Sequence, residues 1–260
     1  MSSSVSSSRL EQSLRSEGEV RLIPYVMAGF PDYRASLELA QEFATGGAGA
    51  IEIGIPFSDP LADGPVIQAV GQRALDQGMT VARALELAAQ VSGAPVVLMT
   101  YLNPVLAYRP ARFAADAAAA GVAGVIIPDL SAEEAAPIAG VLKDAGLDSV
   151  FLVAPTTDGD RMTEICRHSS GFVYCVTLTG TTGARTELPE TLGGLLDRVR
   201  RSTSLPVAAG FGISRPEHIH ALRGHADAAV VASALMAEVM AGRDPLQLMS
   251  TLLAACRSEV

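Results

Sequence analysis

Charge, cysteine and long apolar runs are all in short supply in this chain, and each shortage excludes a class of protein. Charged residues occupy 18% of the 260 positions, and 19 basic against 28 acidic side chains give a formal charge of -9. No basic block is present to neutralise a phosphodiester backbone, so a nucleic-acid partner is not expected. The three cysteines, Cys166, Cys175 and Cys256, are odd in number, far apart and without CxxC or Cys/His ligand spacing. That pattern argues against a disulfide framework or a metal centre and fits a reducing compartment. The N-terminus MSSSVSSSRLEQ lacks the apolar core of a signal peptide, and no apolar run reaches the ~18 residues of a membrane span. A cytoplasmic protein is expected, with residues 1–8 as a disordered Ser-rich tail. The four histidines, His168, His218, His220 and His225, fall in expected helices or loops and read as ordinary surface residues.

What is present is apolar material, 49% of the chain, enough to bury a sizeable core. Short β-branched or apolar runs occur at 21–28, 50–54, 95–101, 124–128, 149–154, 172–177, 206–210 and 228–232. Between them apolar residues recur at helical spacing, as in Leu37, Leu39, Ala40, Phe43 and Ala44, or Ile138, Val141, Leu142 and Ala145. Alternation of this kind implies parallel strands joined by crossover helices, and eight such units close into a barrel without exposed edges. The expected fold is a (β/α)8 TIM barrel with an extra N-terminal helix, one domain over 1–260. An open doubly wound sheet is the alternative. Ser214-Arg-Pro-Glu217 reads as a capping box that starts a helix soon after Gly210-Phe-Gly212.

In such a barrel chemistry sits at the carboxyl ends of the strands. Strand alternation puts Ala50, Glu52 and Gly54 on one face and Ile51 and Ile53 on the other. The isoleucines suit the helix-facing side, so Glu52 points inward, where desolvation raises its pKa toward that of a general acid or base. An acid paired with an unseen Lys or Arg is the competing reading. Asp59 precedes Pro60 and Asp63 precedes Gly64-Pro65, contexts that equally suit a turn or a helix start. Their loop follows the strand of Glu52 and is placed to fold over the same opening. Toward the C-terminus, Gly210-Phe-Gly212 and Ala232-Ser233-Ala234 offer backbone amides where barrels hold phosphate, while TGTTGAR at 179–185 supplies a Gly- and Thr-rich loop. Glycines of this kind also serve ordinary turns.

Eight segments, IPYVMAGFPD, EIGIPFSDPLADGPVIQ, LMTYLNP, GVIIPDL, LVAPTT, GFVYCVT, TGTTGAR and GFGIS, run in order from Ile23 to Ser214. In order and spacing the chain resembles the tryptophan synthase alpha subunit from about residue 20 to about residue 245. The second segment is the most specific; LVAPTT or GFGIS alone is shared by several phosphate-binding barrels. The resemblance implies cleavage of indole-3-glycerol phosphate to indole and glyceraldehyde 3-phosphate, a reverse aldol reaction in tryptophan biosynthesis that needs no cofactor in this subunit. It also implies a pyridoxal-phosphate-dependent beta subunit as partner, in an alpha2beta2 assembly, docked over the loops after strands two and three, including Asn103-Pro104. Glu52 matches the family's acid/base and Asp63 its second catalytic carboxylate, with Asp59 a neighbouring loop acid. Tyr25 and Tyr174 match aromatic substrate-site positions, though core aromatics would look the same. Thr182 and Gly183 match the mobile loop, Phe211 and Gly212 line the substrate, and Gly183, Gly212 and Ser233 take the phosphate. Ser233 equally suits a helix cap.

Three positions depart from the family's pattern. Ala232-Ser233 replaces Gly-Ser, so a methyl would crowd the phosphate if that position needed positive φ. Gly180-Thr-Thr-Gly183 replaces Gly-Val-Thr-Gly, and Gly49 replaces an aspartate. A sugar-phosphate isomerase, a noncatalytic activating subunit and a self-sufficient indole-releasing lyase are the other readings. The combined EIGIPFSDPLADGP segment argues against the first and the two carboxylates against the second.

Overall fold

The computed structural model describes residues 7–16, 18–176, 192–210 and 212–257. The chain opens with α1 (Arg9–Leu14), β1 (Arg21–Met27), α2 (Tyr33–Thr45), β2 (Ile51–Gly54), α3 (Pro65–Asp76), α4 (Val81–Ala88) and β3 (Val96–Met99). It continues through α5 (Leu102–Tyr108), α6 (Pro110–Ala119), β4 (Val122–Ile126), α7 (Ala136–Asp144), β5 (Asp148–Val150), β6 (Leu152–Val153) and α8 (Gly159–His168). The last elements are β7 (Val173–Val176), α9 (Leu192–Ser202), β8 (Val207–Gly210), α10 (Pro216–Leu222), β9 (Ala228–Val231), α11 (Ser233–Met240) and α12 (Pro245–Cys256).

All strand pairs are parallel, in the order β5-β4-β3-β2-β1-β9-β8-β7-β6. The run expected as one strand over 149–154 is split at Phe151. Its first half pairs with β4 and its second with β7, and the Phe151 carbonyl accepts from the Tyr174 amide at 3.0 Å. Because β5 and β6 are separated by that one residue, chain continuity closes the sheet into the expected TIM barrel. The open-sheet alternative is set aside.

Burial follows the period of two. Ile51 and Ile53 are fully buried beneath the helix layer, while Glu52 opposes Tyr25 of β1 and lines the barrel mouth. Helix starts are set by short polar side chains: Asp32 accepts from the Ala35 amide at 2.8 Å, and Thr80 and Asp158 cap α4 and α8 in the same way.

Helix α1 lies under the amino-terminal end of the barrel. Leu10 and Leu14 are fully buried, worth roughly 1.5–3 kcal/mol each in apolar transfer. Space for them comes from glycines: a Cβ at Gly171 would lie 2.9 Å from Leu10, and one at Gly49 would lie 3.1 Å from Leu14 and 2.9 Å from the Arg21 Cβ. Any side chain at position 49 would therefore force Arg21 or Leu14 to shift, which favours glycine there. Ser8, assigned above to the tail, is instead the N-cap of α1; its hydroxyl accepts from the Glu11 amide and donates to the buried Asp148 at 2.5 Å. The tail reading fails at this residue because the hydroxyl has two partners.

Candidate active site

A cavity of about 280 Å³ opens at the carboxyl ends of the strands. Tyr25 and Glu52 reach it from β1 and β2, Asp63 from the loop before α3, Met99 from β3 and Tyr174 from β7. Gly212, Ile213 and Ser214 border it after β8, and Ala232 and Ser233 after β9. Residues far apart in sequence thus meet around one space.

Glu52 is 3% exposed, and its Oε2 has no hydrogen-bond partner among the described residues. The competing reading, a structural ion pair, has no support among the described residues, where no Lys or Arg forms a salt bridge with it. Burial, with a smaller contribution from the nearby Asp63 charge, pushes its carboxyl up to about 8. Asp63 is also buried, which lifts it to about 6, while the Tyr101 hydroxyl holds it down. At neutral pH Glu52 therefore keeps its proton and Asp63 is mostly ionised. The two carboxyls thus differ in protonation state because their environments differ.

The two loop acids, indistinguishable as turn residues in the sequence, are separated by the fold. Asp63 is in the cavity wall immediately before Gly64, the N-cap of α3; Asp59 is exposed and not part of the lining. Tyr101 was not singled out from the sequence. Its hydroxyl accepts from the Ala62 amide at 3.2 Å and faces Asp63, while its ring packs on Phe57 with centroids 5.3 Å apart. The period of two through Val97, Met99 and Tyr101 was the available signal. Met99, which lines the cavity, follows from the same alternation.

Tyr25 and Tyr174 each lie over a glycine on the next strand. A Cβ at Gly54 would fall 1.8 Å from the Tyr25 hydroxyl oxygen, and a Cβ at Gly210 would fall 2.3 Å from that of Tyr174. These close approaches leave room for hydrogen only. Both tyrosines are buried in the cavity wall rather than elsewhere in the core, and Tyr25 also directs its hydroxyl to the Met27 sulfur at 3.8 Å.

At the opposite end Gly212 has φ +89°, a left-handed conformation that suits glycine. Ala232, by contrast, has φ -112° and ψ -77°, so this position does not need the positive φ that would favour glycine. It is the N-cap of α11, with no side-chain cap, and Ser233 is the first helical residue; Ser233 is not the capping residue. The capping box expected from Ser214 to Glu217 does not form either. Helix α10 begins one residue later than the box requires, with Arg215 as an uncapped N-cap. His218, assigned above to the surface, is 3% exposed and lies under this turn. Thr182, Gly183 and Phe211 lie outside the described residues.

The architecture and site define a parallel β/α barrel with two buried carboxyls and the turns after β8 and β9 around one cavity at the carboxyl ends of the strands. The family model for the tryptophan synthase alpha chain matches residues 12–259. A tryptophan synthase alpha chain from Gluconacetobacter diazotrophicus is 53% identical over 228 residues, covering 86% of this chain and 83% of that relative. One from Chloroflexus aggregans is 47% identical over 227 residues, 86% and 85% of the two chains. Among solved structures, Mycobacterium tuberculosis tryptophan synthase superposes with a TM-score of 0.90 at 34% identity, over 97% of this chain and 100% of that one. A mutant alpha subunit from Pyrococcus furiosus gives 0.83 at 38% identity, over 92% and 100%. The chain belongs to the tryptophan synthase alpha chain family. The reaction of that family is the lyase cleavage of indole-3-glycerol phosphate in tryptophan biosynthesis.

Proposed function

We propose that Glu52 and Asp63 carry out the cleavage of indole-3-glycerol phosphate in this chain. The supporting observation is the pair of buried carboxyls in one cavity, one held protonated and the other ionised at neutral pH. Glu52 delivers its proton to C3 of the indole ring. Asp63 accepts a hydrogen bond from the ring N–H and stabilises the positive charge that develops there. The cationic ring withdraws the electrons of the carbon-carbon bond to the glycerol phosphate side chain. The Glu52 carboxylate takes the proton of the adjacent hydroxyl, which becomes the aldehyde, so the acid is regenerated as indole and glyceraldehyde 3-phosphate form.

Tyr25 and Tyr174 provide aromatic walls for the indole. Gly212 and Ser233 take the phosphate, and the negative φ of Ala232 removes the objection to alanine there. Thr182, Gly183 and Phe211 join the site through the family resemblance.

The proposed partner is a beta subunit holding pyridoxal phosphate, in an alpha2beta2 assembly in the cytoplasm. Leu61, 80% exposed in the loop after β2, and Leu106, 50% exposed on α5 beside Asn103 and Pro104, support docking at that rim. Among the described residues no helix is long and apolar enough to cross a membrane.

The test is indole release from indole-3-glycerol phosphate by the purified chain, alone and with a beta subunit, beside Glu52→Gln and Asp63→Asn. Each variant is expected to lose about 10²–10⁴-fold in rate. Full activity in both variants would refute the assigned roles, and absence of turnover by the wild type in either condition would favour a noncatalytic subunit.

A further inference from the structure

The turn after β8 is held by an unexpected side chain. The Ser214 amide donates to Nδ1 of His218 at 3.2 Å. His218 is the third residue of α10 and reaches back past the helix start, the role a Glu or Gln plays in half of a capping box. Gly212, Ile213 and Ser214 border the cavity, as do Ala232 and Ser233 after the adjacent strand β9, whereas His218 itself does not line it.

We propose that His218 is a positioning residue for the phosphate end of the cavity, acting through the Ser214 amide. The inference rests on reading that end as a phosphate-ester site. With the Ser214 N–H committed to the imidazole, the peptide between Ile213 and Ser214 has one fixed orientation, and the approach of Gly212 and Ile213 to the ligand is fixed with it. Helix α10 has no side-chain cap at Arg215, and among the described residues the imidazole ties this turn to the helix. Acceptance at Nδ1 requires that nitrogen to be unprotonated, which places the proton of a neutral ring on Nε2. Asparagine at 218 retains an acceptor close to the position of Nδ1; leucine retains the bulk and removes the acceptor.

The experiment measures binding of inorganic phosphate by titration calorimetry, and the kinetics of indole-3-glycerol phosphate and its dephosphorylated analogue, for wild type, His218→Leu and His218→Asn. His218→Leu is expected to weaken phosphate binding and raise KM for the ester by about five- to tenfold, the equivalent of one hydrogen bond. The kcat/KM for the dephosphorylated analogue is expected to change far less, and His218→Asn to recover most of the loss. Equal losses on both substrates would overturn the proposal, as would unchanged phosphate affinity in His218→Leu or no binding of phosphate by the wild type. Nitrogen NMR of the wild-type imidazole supplies a measurement independent of variant folding: an Nδ1 acceptor supports the proposal and a protonated Nδ1 refutes it. Phosphate binding without cleavage by the wild type would sink the proposed reaction and leave this inference standing.

Discussion

Replacing Glu52 by glutamine separates catalysis from stability, because the same burial that makes the carboxyl an acid also makes its ionised form unfavourable in the fold. The native group is raised from 4.5 to about 8. A raised carboxyl binds its proton more tightly in the folded chain, so its contribution to stability is fully present below about 4.5. It is lost as pH rises through about 8. At about 1.4 kcal/mol per unit, the wild type should lose up to about 4 kcal/mol from this one group over that range. Glutamine is neutral throughout and fills the same space, so Glu52→Gln should match the wild type near pH 4 and exceed it by up to about 3 kcal/mol at pH 7. Indole release should meanwhile fall by at least about a hundredfold. Urea unfolding of both proteins across this pH range, with indole assays on the same preparations, measures both effects. A variant that is less stable at every pH would refute the desolvation argument, and a variant that remains active would refute the catalytic role.

Other outcomes follow from the same geometry. The kcat/KM profile should be bell-shaped, rising near pH 6 as Asp63 ionises and falling near pH 8 as Glu52 loses its proton; a rate that climbs steadily through pH 9 would contradict these roles. Gly54→Ala puts a methyl 1.8 Å from the Tyr25 hydroxyl oxygen and 2.4 Å from its Cζ. It should destabilise by about 1–3 kcal/mol and displace the ring, with a rate loss on the order of a hundredfold. Thermal melts and kinetics check this, and wild-type behaviour in both would show that the tyrosine yields without consequence. Leu61→Ser with Leu106→Ser should weaken activation by a beta subunit, read as a higher beta concentration at half-maximal stimulation; an unchanged titration would remove this rim from the interface.

How far the site was legible in the sequence depended on whether a residue's role was local. Glu52 was legible because period-two alternation places it opposite two isoleucines, whatever the rest of the fold does. Tyr101 belongs to the same alternation, but its importance depends on Asp63, which is 38 positions away in sequence and adjacent only across strands. His218 had the opposite fault: helical spacing placed it on a helix, yet which face of a short helix is covered depends on the neighbouring elements. The capping box failed for a related reason. A four-residue pattern names candidates for the cap, and the path of the preceding turn decided that Arg215 and His218 occupy the relevant positions instead.

By itself, then, the sequence determined the alternating β/α order, the inward direction of Glu52 and the family, because these reside in residue spacing and in ordered motifs. Tertiary structure alone decided the closure of the barrel across Phe151, the placing of Asp63 but not Asp59 in the cavity wall, the capping of α1 by Ser8 and the burial of His218. It also decided the difference in proton affinity between Glu52 and Asp63. Proton affinity is set by desolvation and by neighbouring charge, and both exist only once distant strands have enclosed the cavity.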